Sequence, residues 1–325
     1  MDGLGPARRG ERWVLRHRLA DGSATDVIGW VERIDSATVS IVTSSGAKVE
    51  VPAAAIIVAR RAPGAAGGRD PLRASAEELE RHALPGWLGW SEPLGQWTLR
   101  AANGHTVRAN SCLAVGDPGM PIVAAAAQVA EFSAAHGIQP GAQVIAGSDI
   151  EAALRKLSWD DAYPATDVLV CRLSTFLGDS LPDPDAEITE TLTDAWVEAY
   201  RHGTPDHPDP AILKMILAGN PPRAFASVAA GQPNLVAIGR GHVSGPWLGL
   251  AIWTGDDHRL QGAAQSIMVA LGHWGARRGA RYCYLEVAGG DDKLRELGTV
   301  LGFTVHHRCR FLTAPTDCPE SVELS

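Results

Sequence analysis

The stretch Trp247-LGLAIWTGDDHRLQGAA-Gln265 decides the fold of this 325-residue chain. Its first half is apolar and favours a strand, whereas its second half is rich in small residues and leads into a helical pattern. A strand, a small-residue turn and a helix start suit a phosphate group, because unpaired N–H donors converge there and the helix dipole favours an anion. Gly262 would let the backbone approach such a group closely, since it has no side chain.

The sequence on either side supports this order of elements. The preceding segment, Val236-AIGRGHVSG-Pro246, predicts a strand that forms a hairpin with the quoted one. The helix that follows ends at Gly279, as a left-handed cap favours. Its apolar residues have helical spacing: Ile267, Met268, Leu271 and Trp274.

These motifs resemble the GNAT acetyltransferase superfamily. The family's pyrophosphate motif, [Q/R]-x-x-G-x-[G/A], stands here as Arg259-x-x-Gly262-x-Ala264, and the strand Tyr284-Leu-Glu-Val287 and the Leu301-Gly302-Phe303 turn follow in the family's order. The resemblance spans roughly residues 190–312. The whole chain is also similar to an actinobacterial-type subgroup with an SH3-like front module and a degenerate first GNAT lobe. The motifs of that first lobe are Trp97-TLR, Gly104-HTVRANS and Gly116-Asp-Pro-Gly.

The resemblance implies acetyl-CoA as cosubstrate and assigns its binding residues. Backbone groups of Ile252, Trp253 and Thr254 would pair with the pantetheine arm like an added strand. The N–H groups of the following turn would hold the pyrophosphate. That turn comprises Arg259, Leu260, Gln261, Gly262, Ala263, Ala264 and Gln265. Asp291 occupies the place of the family's usual asparagine and is included in the binding set.

Two residues are candidates for the base that takes a proton from an attacking ammonium. Glu286 stands where some relatives that acetylate ribosomal proteins carry their base, and His242 lies on the preceding hairpin. Glu286 facing solvent or pairing with an arginine remains the alternative, as does a structural role for His242. The family's usual tyrosine acid falls on Gly298, for which Tyr282, Tyr284 or water could substitute.

An internal repeat indicates two related lobes. A helix ends at Gly137 and another at Gly279, an offset of 142 residues. Each is followed by a strand, an acidic helix start and a final strand. At the same offset Arg259 corresponds to Asp117, in a segment with two prolines, so we expect the first lobe not to bind acetyl-CoA.

The sequence therefore predicts an α/β fold, with a mixed α+β GNAT sheet in tandem lobes behind a small SH3-like β-barrel. Short strands broken by turns predict that barrel. The predicted boundaries are 1–62 for the β-module, 63–84 for a flexible linker, 85–175 for the degenerate first lobe and 176–325 for the acetyl-CoA-binding lobe.

Composition limits the partners. Hydrophobic residues make up 45% of the chain, as in soluble globular proteins, and the net charge of -8 disfavours nucleic acid. We see no secretory signal or apolar run long enough for a membrane, so we expect a cytoplasmic protein. The five cysteines form no CxxC pair, and we expect no metal. The oligomeric state is open, with a homodimer as one alternative.

Two functions from different classes follow from these observations. The first is an acetyl-CoA-dependent N-acetyltransferase that acts on a primary amine of a small molecule or peptide. The alternative is a non-catalytic acyl-CoA-binding sensor or scaffold protein, which the glycine at position 298 favours.

Overall fold

The computed structural model describes residues 9–65, 69–204, 208–220, 222–229, 235–254 and 261–315. The predicted residues Arg259 and Leu260 lie outside these ranges. None of the helices within these ranges is long and apolar enough to cross a membrane.

The front module is built on a five-stranded sheet in the described part of the chain. Its strands are β1 (Arg12–Arg18), β2 (Ala24–Ile34), β3 (Thr38–Thr43), β4 (Lys48–Pro52) and β5 (Ile56–Arg61). The order is β4-β3-β2-β1-β5, and all pairs are antiparallel. Apolar side chains such as Leu15, Val39 and Ile41 form its core, because alternate strand residues point to the same face.

The rest of the chain contains helices on a second sheet. Up to residue 172 its elements are α1 (Ala76–Ala83), β6 (Trp90–Leu94), β7 (Trp97–Ala101), β8 (Cys112–Leu113), α2 (Ile122–Ala135), β9 (Gly141–Ile145), α3 (Asp149–Lys156), β10 (Asp160–Asp161) and β11 (Thr166–Arg172). Short 3-10 helices span Ala53–Ala55, Pro71–Arg73, Leu84–Trp87 and Arg108–Asn110.

The second half continues the same sheet. Its elements are α4 (Leu173–Leu177), β12 (Ala186–Thr189), α5 (Asp194–His202), α6 (Pro210–Leu217), β13 (Arg223–Ala229), β14 (Leu235–Ser244), β15 (Trp247–Thr254), α7 (Gln261–Arg277), β16 (Tyr282–Ala288), α8 (Asp292–Val300) and β17 (Thr304–Thr313). Over the described residues the order is β12-β13-β14-β15-β16-β11-β17-β9-β8-β7-β6, with β10 paired to β17.

The repeat predicted from sequence is present as two successions of helix, strand, helix and strand. They are α2-β9-α3-β11 and α7-β16-α8-β17. In each lobe the first repeat helix lies between the two strands of a parallel pair, β8 with β9 and β15 with β16. The predicted α/β fold with tandem lobes is confirmed.

The sequence did not predict that the two lobes exchange strands. β11, the last strand of the first lobe, lies between β16 and β17 of the second lobe. β17, the last strand of the second lobe, lies between β11 and β9 of the first. Each lobe therefore completes the sheet of the other. The predicted boundary at residue 175 stays a prediction, and this exchange gives a reason to test it.

The predicted linker, residues 63–84, contains helical structure in its described part, residues 63–65 and 69–84. Helix α1 begins after Ser75, whose side chain accepts a hydrogen bond from Glu78 N at 3.0 Å. Its Glu80 is 1% exposed. Ala65 packs in the core of the second lobe, and Arg12 of the front module donates to the carbonyls of Pro63 and Ala65. The Pro/Gly-rich composition around residues 62–68 obscured this capped helix.

We expect fragment 176–325 not to fold by itself, because it lacks β11 and so leaves the facing edges of β16 and β17 without their partner. Fragment 69–315 keeps both exchanged strands and should fold. Circular dichroism and thermal melting of the two fragments check this. A cooperative melt and dispersed amide spectrum for fragment 176–325 would show that the lobes are independent.

Candidate active site

The sheet opens into a fork where β15 diverges from β16. The parallel register runs from Trp247 opposite Tyr282 to Leu250 opposite Leu285. Beyond it β15 continues to Thr254 and β16 to Ala288. β14 pairs with β15 through Thr254, and β11 pairs with β16 along its length, so both arms are held from outside. The inner edges of the arms are therefore available to an extended ligand.

The sequence-predicted strand residues lie on one arm of this fork. Ile252, Trp253 and Thr254 pair with Gly239, Ile238 and Ala237 of β14 through one backbone edge. The opposite edge faces the fork. The ring of Trp253 packs against Tyr200, with centroids 4.8 Å apart, and against Trp196 at 5.6 Å. These aromatic contacts fix the arm against the helices that cover it.

The N-terminus of α7 follows this arm. Gln261 begins the helix, and Gly262 is exposed, Ala263 half-buried and Ala264 buried. Among the described residues, a Cβ placed on Gly262 would meet nothing within 4 Å. The first N–H groups of a helix have no partner within it and favour an anionic group, so the predicted pyrophosphate site would lie at this first turn, with Gln265.

Glu286 lies on the other arm, at the first position beyond the paired register. It shares a face of β16 with Tyr282 and Tyr284, whereas Cys283, Leu285 and Val287 point into the core on the opposite face. Its Oε1 lies 2.8 Å from Arg108 Nη1 but off the direction of an N–H bond, so it has no hydrogen bond in the described structure. The contact is an ion pair, which is one of the alternatives that the sequence left open for Glu286.

A tight loop of the first lobe positions Arg108. Thr106 adopts a left-handed conformation with φ of 60°. The Asn110 side chain fastens the loop: its Oδ1 accepts from Ala102 N and Gly104 N, and its Nδ2 donates to the carbonyls of His105 and Thr106. The Arg108 guanidinium lies over the Phe311 ring, with Cζ 5.4 Å from the centroid.

Arg108 stands between two buried carboxylates. Its Nη1 is 3.7 Å from Glu80 Oε2 as well as 2.8 Å from Glu286. Burial raises the pKa of Glu286; the charge of Arg108 opposes this, and that of Glu80 adds to it, so the pKa lies above its usual value. Burial also raises the pKa of Glu80, but a hydrogen bond from His307 and the Arg108 charge outweigh it, and that pKa lies below its usual value.

A cavity of about 200 Å3 adjoins Glu286. Glu286 and Arg108 supply its charged lining, and Trp87, Val107 and Phe311 supply apolar walls. Because both lobes contribute these residues, the cavity lies between them. An apolar pocket with a carboxylate in its lining suits an amine on an aliphatic stem.

His242, the second predicted base, has a different environment. Its side chain is buried, its Nε2 lies 3.2 Å from the carbonyl of His82, and burial lowers its pKa to about 3. A Cβ on Gly86 or Gly249 would come within 2.5 Å of its ring. Since a carbonyl only accepts, Nε2 carries the proton. Its Tyr284 neighbour has its hydroxyl 3.3 Å from the same nitrogen.

Two departures from the family's pattern have local structural reasons. Gly298 of α8 packs against the sheet, where a Cβ would lie 3.3 Å from Leu169 Cδ2 and 3.5 Å from Leu285 Cδ1. Asp291 caps α8, since its Oδ1 accepts from Leu294 N at 3.0 Å. Its place in the acetyl-CoA set stays a prediction.

Three ligand-type side chains meet beside Arg108 but are built as a hydrogen-bonded cluster. Oxygen, nitrogen and sulfur atoms of Glu80, His307 and Cys309 lie within 4.8 Å of one another. Glu80 already accepts from His307, at 2.9 Å, and from Gln143 Nε2. We assign no metal to this cluster.

Sequence reasoning missed Arg108, Glu80 and His307. Arg108 lies within the quoted Gly104-HTVRANS motif, and Glu80 lies in the segment predicted to be a linker. The signals that could have found them are the Ser75-x-x-Glu78 capping pattern, which predicts α1, and a paired His306-His307 in a predicted strand.

Comparisons with known proteins agree with this architecture. Residues 74–312 match the family described as Probable histone acetyltransferase Rv0428c C-terminal, which spans more than half of the chain. The chain belongs to this family. Residues 7–60 match the Rv0428c N-terminal Sm-like domain, so the front module matches a small β domain described as Sm-like rather than SH3-like.

A curated relative extends over nearly the whole chain. It is the Probable histone acetyltransferase Rv0428c of Mycobacterium tuberculosis, 30% identical over 314 residues, which cover 94% of this chain and 95% of the relative.

Solved structures are similar in fold. The GCN5-related N-acetyltransferase from Kribbella flavida aligns with a TM-score of 0.53 at 15% identity, over 75% of this chain and 97% of that one. A tandem GNAT protein from the clavulanic acid biosynthesis pathway aligns with a TM-score of 0.47 at 14% identity, over 64% of this chain and 76% of that one. The Kribbella structure confirms the predicted GNAT fold.

We expect Asp291→Ala to lower the free energy of unfolding by about 1 kcal/mol, because α8 loses its cap. Asp291→Asn keeps a capping oxygen and should unfold like the wild type in urea. If the alanine variant has wild-type stability, the capping role is wrong. An asparagine variant with unchanged stability but altered acetyl-CoA affinity would indicate a second role in binding.

Proposed function

We propose that the chain is an acetyl-CoA-dependent N-acetyltransferase that transfers the acetyl group to a primary amine. The observation that carries this proposal is the fork between β15 and β16, with the N-terminus of α7 following one arm and the Glu286 carboxylate on the other. Membership in the Rv0428c family and the GNAT fold support it. When bound, acetyl-CoA supplies the activated acetyl group.

The chain's own residues would hold the cosubstrate through its extended arm and its phosphates. The inner edge of Ile252, Trp253 and Thr254 offers backbone donors and acceptors to the pantetheine amides. The first turn of α7 from Gln261 to Gln265 offers N–H groups to the pyrophosphate, beside the open space at Gly262. This arrangement would bring the thioester to the fork, next to Glu286.

Glu286 would act as the general base. It takes the proton from the acceptor ammonium directly or through one water, and the neutral amine then attacks the acetyl carbonyl. Burial raises the pKa of Glu286 and so brings this pKa closer to the pH at which a general base works. His242 would serve a structural role instead, because its buried ring is neutral and bound to the His82 carbonyl.

Tyr284 is the hydroxyl best placed to protonate the departing thiolate. Burial raises its pKa well above the usual value, so it keeps its proton. Its oxygen lies 3.3 Å from His242 Nε2, whose one proton faces the His82 carbonyl, so this contact does not use the Tyr284 proton. Tyr282 is less suited, because it lies opposite Trp247 at the start of β16, away from the fork.

The acceptor that the cavity fits best is a primary amine on an aliphatic stem. Trp87, Val107 and Phe311 would cover the stem, and Glu286 would receive the ammonium. A lysine side chain of a peptide has this chemistry, as does an alkylamine. The name of the Mycobacterium tuberculosis relative points to a protein acceptor, and we propose the same class here.

A second candidate function is acyl-CoA sensing without catalysis. The ion pair of Glu286 with Arg108 favours it, because a bound cation holds a carboxylate ionised and lowers its basicity. Thiol release from acetyl-CoA across a panel of amines and lysine peptides separates the two functions. Binding without turnover for the whole panel would replace the enzyme proposal by the sensor.

We expect Gly262→Glu to fold like the wild type but to bind acetyl-CoA more than about tenfold more weakly. A Cβ at this position meets no described atom within 4 Å, and the charge of the glutamate would oppose the pyrophosphate. Calorimetric titration with acetyl-CoA and with CoA measures this change.

Val123→Glu is the matched control for that variant. Val123 is exposed and is the second residue of α2, as Gly262 is of α7. This control should bind acetyl-CoA like the wild type. Loss of binding in the Val123 variant, with binding kept in the Gly262 variant, would assign the cosubstrate to the first lobe.

We expect Glu286→Gln to lower kcat by about 10²–10⁴-fold while the Kd for acetyl-CoA stays the same. The wild-type rate should fall as pH falls through the raised pKa of Glu286, because the protonated carboxyl cannot take a proton. That fall should begin at a higher pH than for an ordinary glutamate and should be absent from the variant. A glutamine variant with wild-type kcat would remove Glu286 from the mechanism.

A further inference from the structure

A line of polar side chains connects Glu286 to the half-buried His306. Arg108 links Glu286 to Glu80, and Glu80 Oε1 lies 2.9 Å from His307 Nε2. His307 Nδ1 lies 2.8 Å from His306 Nδ1, and His306 Nε2 lies 3.0 Å from the carbonyl of Ala74. Glu80 belongs to α1, and both histidines belong to β17. The proposed mechanism assigns no role to these three residues.

The hydrogen-bond partners fix how many protons this line holds. The Ala74 carbonyl only accepts, so His306 Nε2 carries a proton, and in the neutral ring Nδ1 accepts. Burial lowers the pKa of His306 and so favours its neutral ring, which means that His307 Nδ1 donates to it. A neutral His307 would therefore present a bare Nε2 to the Glu80 carboxylate. Two acceptors at 2.9 Å require one more proton between them.

Glu80 and His307 together are electrically neutral wherever that proton sits. A cationic ring with a carboxylate and a neutral ring with a carboxylic acid have the same sum of charges. Gln143 completes the arrangement, since its Nε2 donates to Glu80 and its Oε1 accepts from Arg100 at 2.8 Å. Because the shared proton neutralises the negative charge of Glu80, the positive charge of Arg108 acts on Glu286.

We propose that His306 and His307 are positioning residues for Glu286. They keep a proton between His307 and Glu80, so that Arg108 pairs with the Glu286 carboxylate. The inference rests on the proposed function, because it assigns Glu286 the role of general base. Without the shared proton, Glu80 would compete for Arg108 and its negative charge would act on Glu286. The base would then be harder to ionise.

Other titratable groups face this line, and the variants used in the test leave them unchanged. Around Glu286 they are Arg100 of β7, Arg240 of β14 and Tyr284 of its own strand. Around the two histidines they are Glu78 of α1 and Cys309 of β17, while the neighbouring strand β11 places Val168 beside His307.

The test follows the titration of the Glu286 carboxyl by 13C NMR, assigned with Glu286→Gln. We expect His307→Gln to move its midpoint to higher pH by about one unit, because Glu80 loses the shared proton. The double variant Glu80→Gln/His307→Gln should return close to the wild-type midpoint, because the charge that His307 balanced is gone. The acid limb of the kcat/KM profile should move in the same direction in each case.

His202→Gln, on the exposed face of α5, is the control and should leave the midpoint unchanged. A wild-type midpoint in His307→Gln, or an undiminished shift in the double variant, would overturn the proposal. If His307→Gln fails to fold, the 15N signals of the wild-type rings decide: Nδ1 of His307 should carry a proton, and a bare Nδ1 overturns the proposal. Neither measurement needs turnover, so failure to acetylate any amine would count against the proposed function alone.

Discussion

The parallel pairing of β15 with β16 stops after Leu250 and Leu285, and the site depends on this early end. Backbone N–H and C=O groups in a sheet need partners, so two arms that separate offer a place for an extended ligand. The fork can stay open because each arm is fixed on its outer side, one by β14 and the other by β11. A ligand entering it would thus find the binding edge already formed, which lowers the entropy lost on binding.

The exchange of β11 and β17 explains why a lobe without a phosphate-binding turn is part of the site. The first lobe supplies Arg108, and α1 supplies Glu80, whereas Glu286 belongs to the second lobe. An unpaired charge buried at such a boundary is unfavourable, so the three groups have to lie close together. The strands that cross between the lobes hold them in these positions. The first lobe therefore contributes to the electrostatic environment of Glu286, the proposed base, which belongs to the second lobe.

Local patterns predicted much of the fold, including the strand and the helix on which the proposed acetyl-CoA site lies. Both elements follow from residues close in sequence, and the 142-residue repeat predicted two lobes. The strand exchange could not be predicted in this way, because β11 and β17 have the same local pattern whether they stay in their own lobe or cross. Arg108 was missed for a related reason: its partner Glu286 is far along the chain, and a single arginine in a polar loop has no periodic signal. Glu80 was hidden because a capped helix follows directly on a Pro/Gly-rich segment.

The central claim is that acetyl-CoA enters the fork of the second lobe and presents its thioester to Glu286. A crystal structure of the chain with acetyl-CoA tests it most directly. The account predicts the pantetheine arm alongside Ile252 and Thr254, the pyrophosphate at the first turn of α7, and the acetyl group beside the Glu286 carboxylate. Acetyl-CoA bound at α2 of the first lobe, or a thioester on the Gly298 side of the sheet away from Glu286, would contradict it.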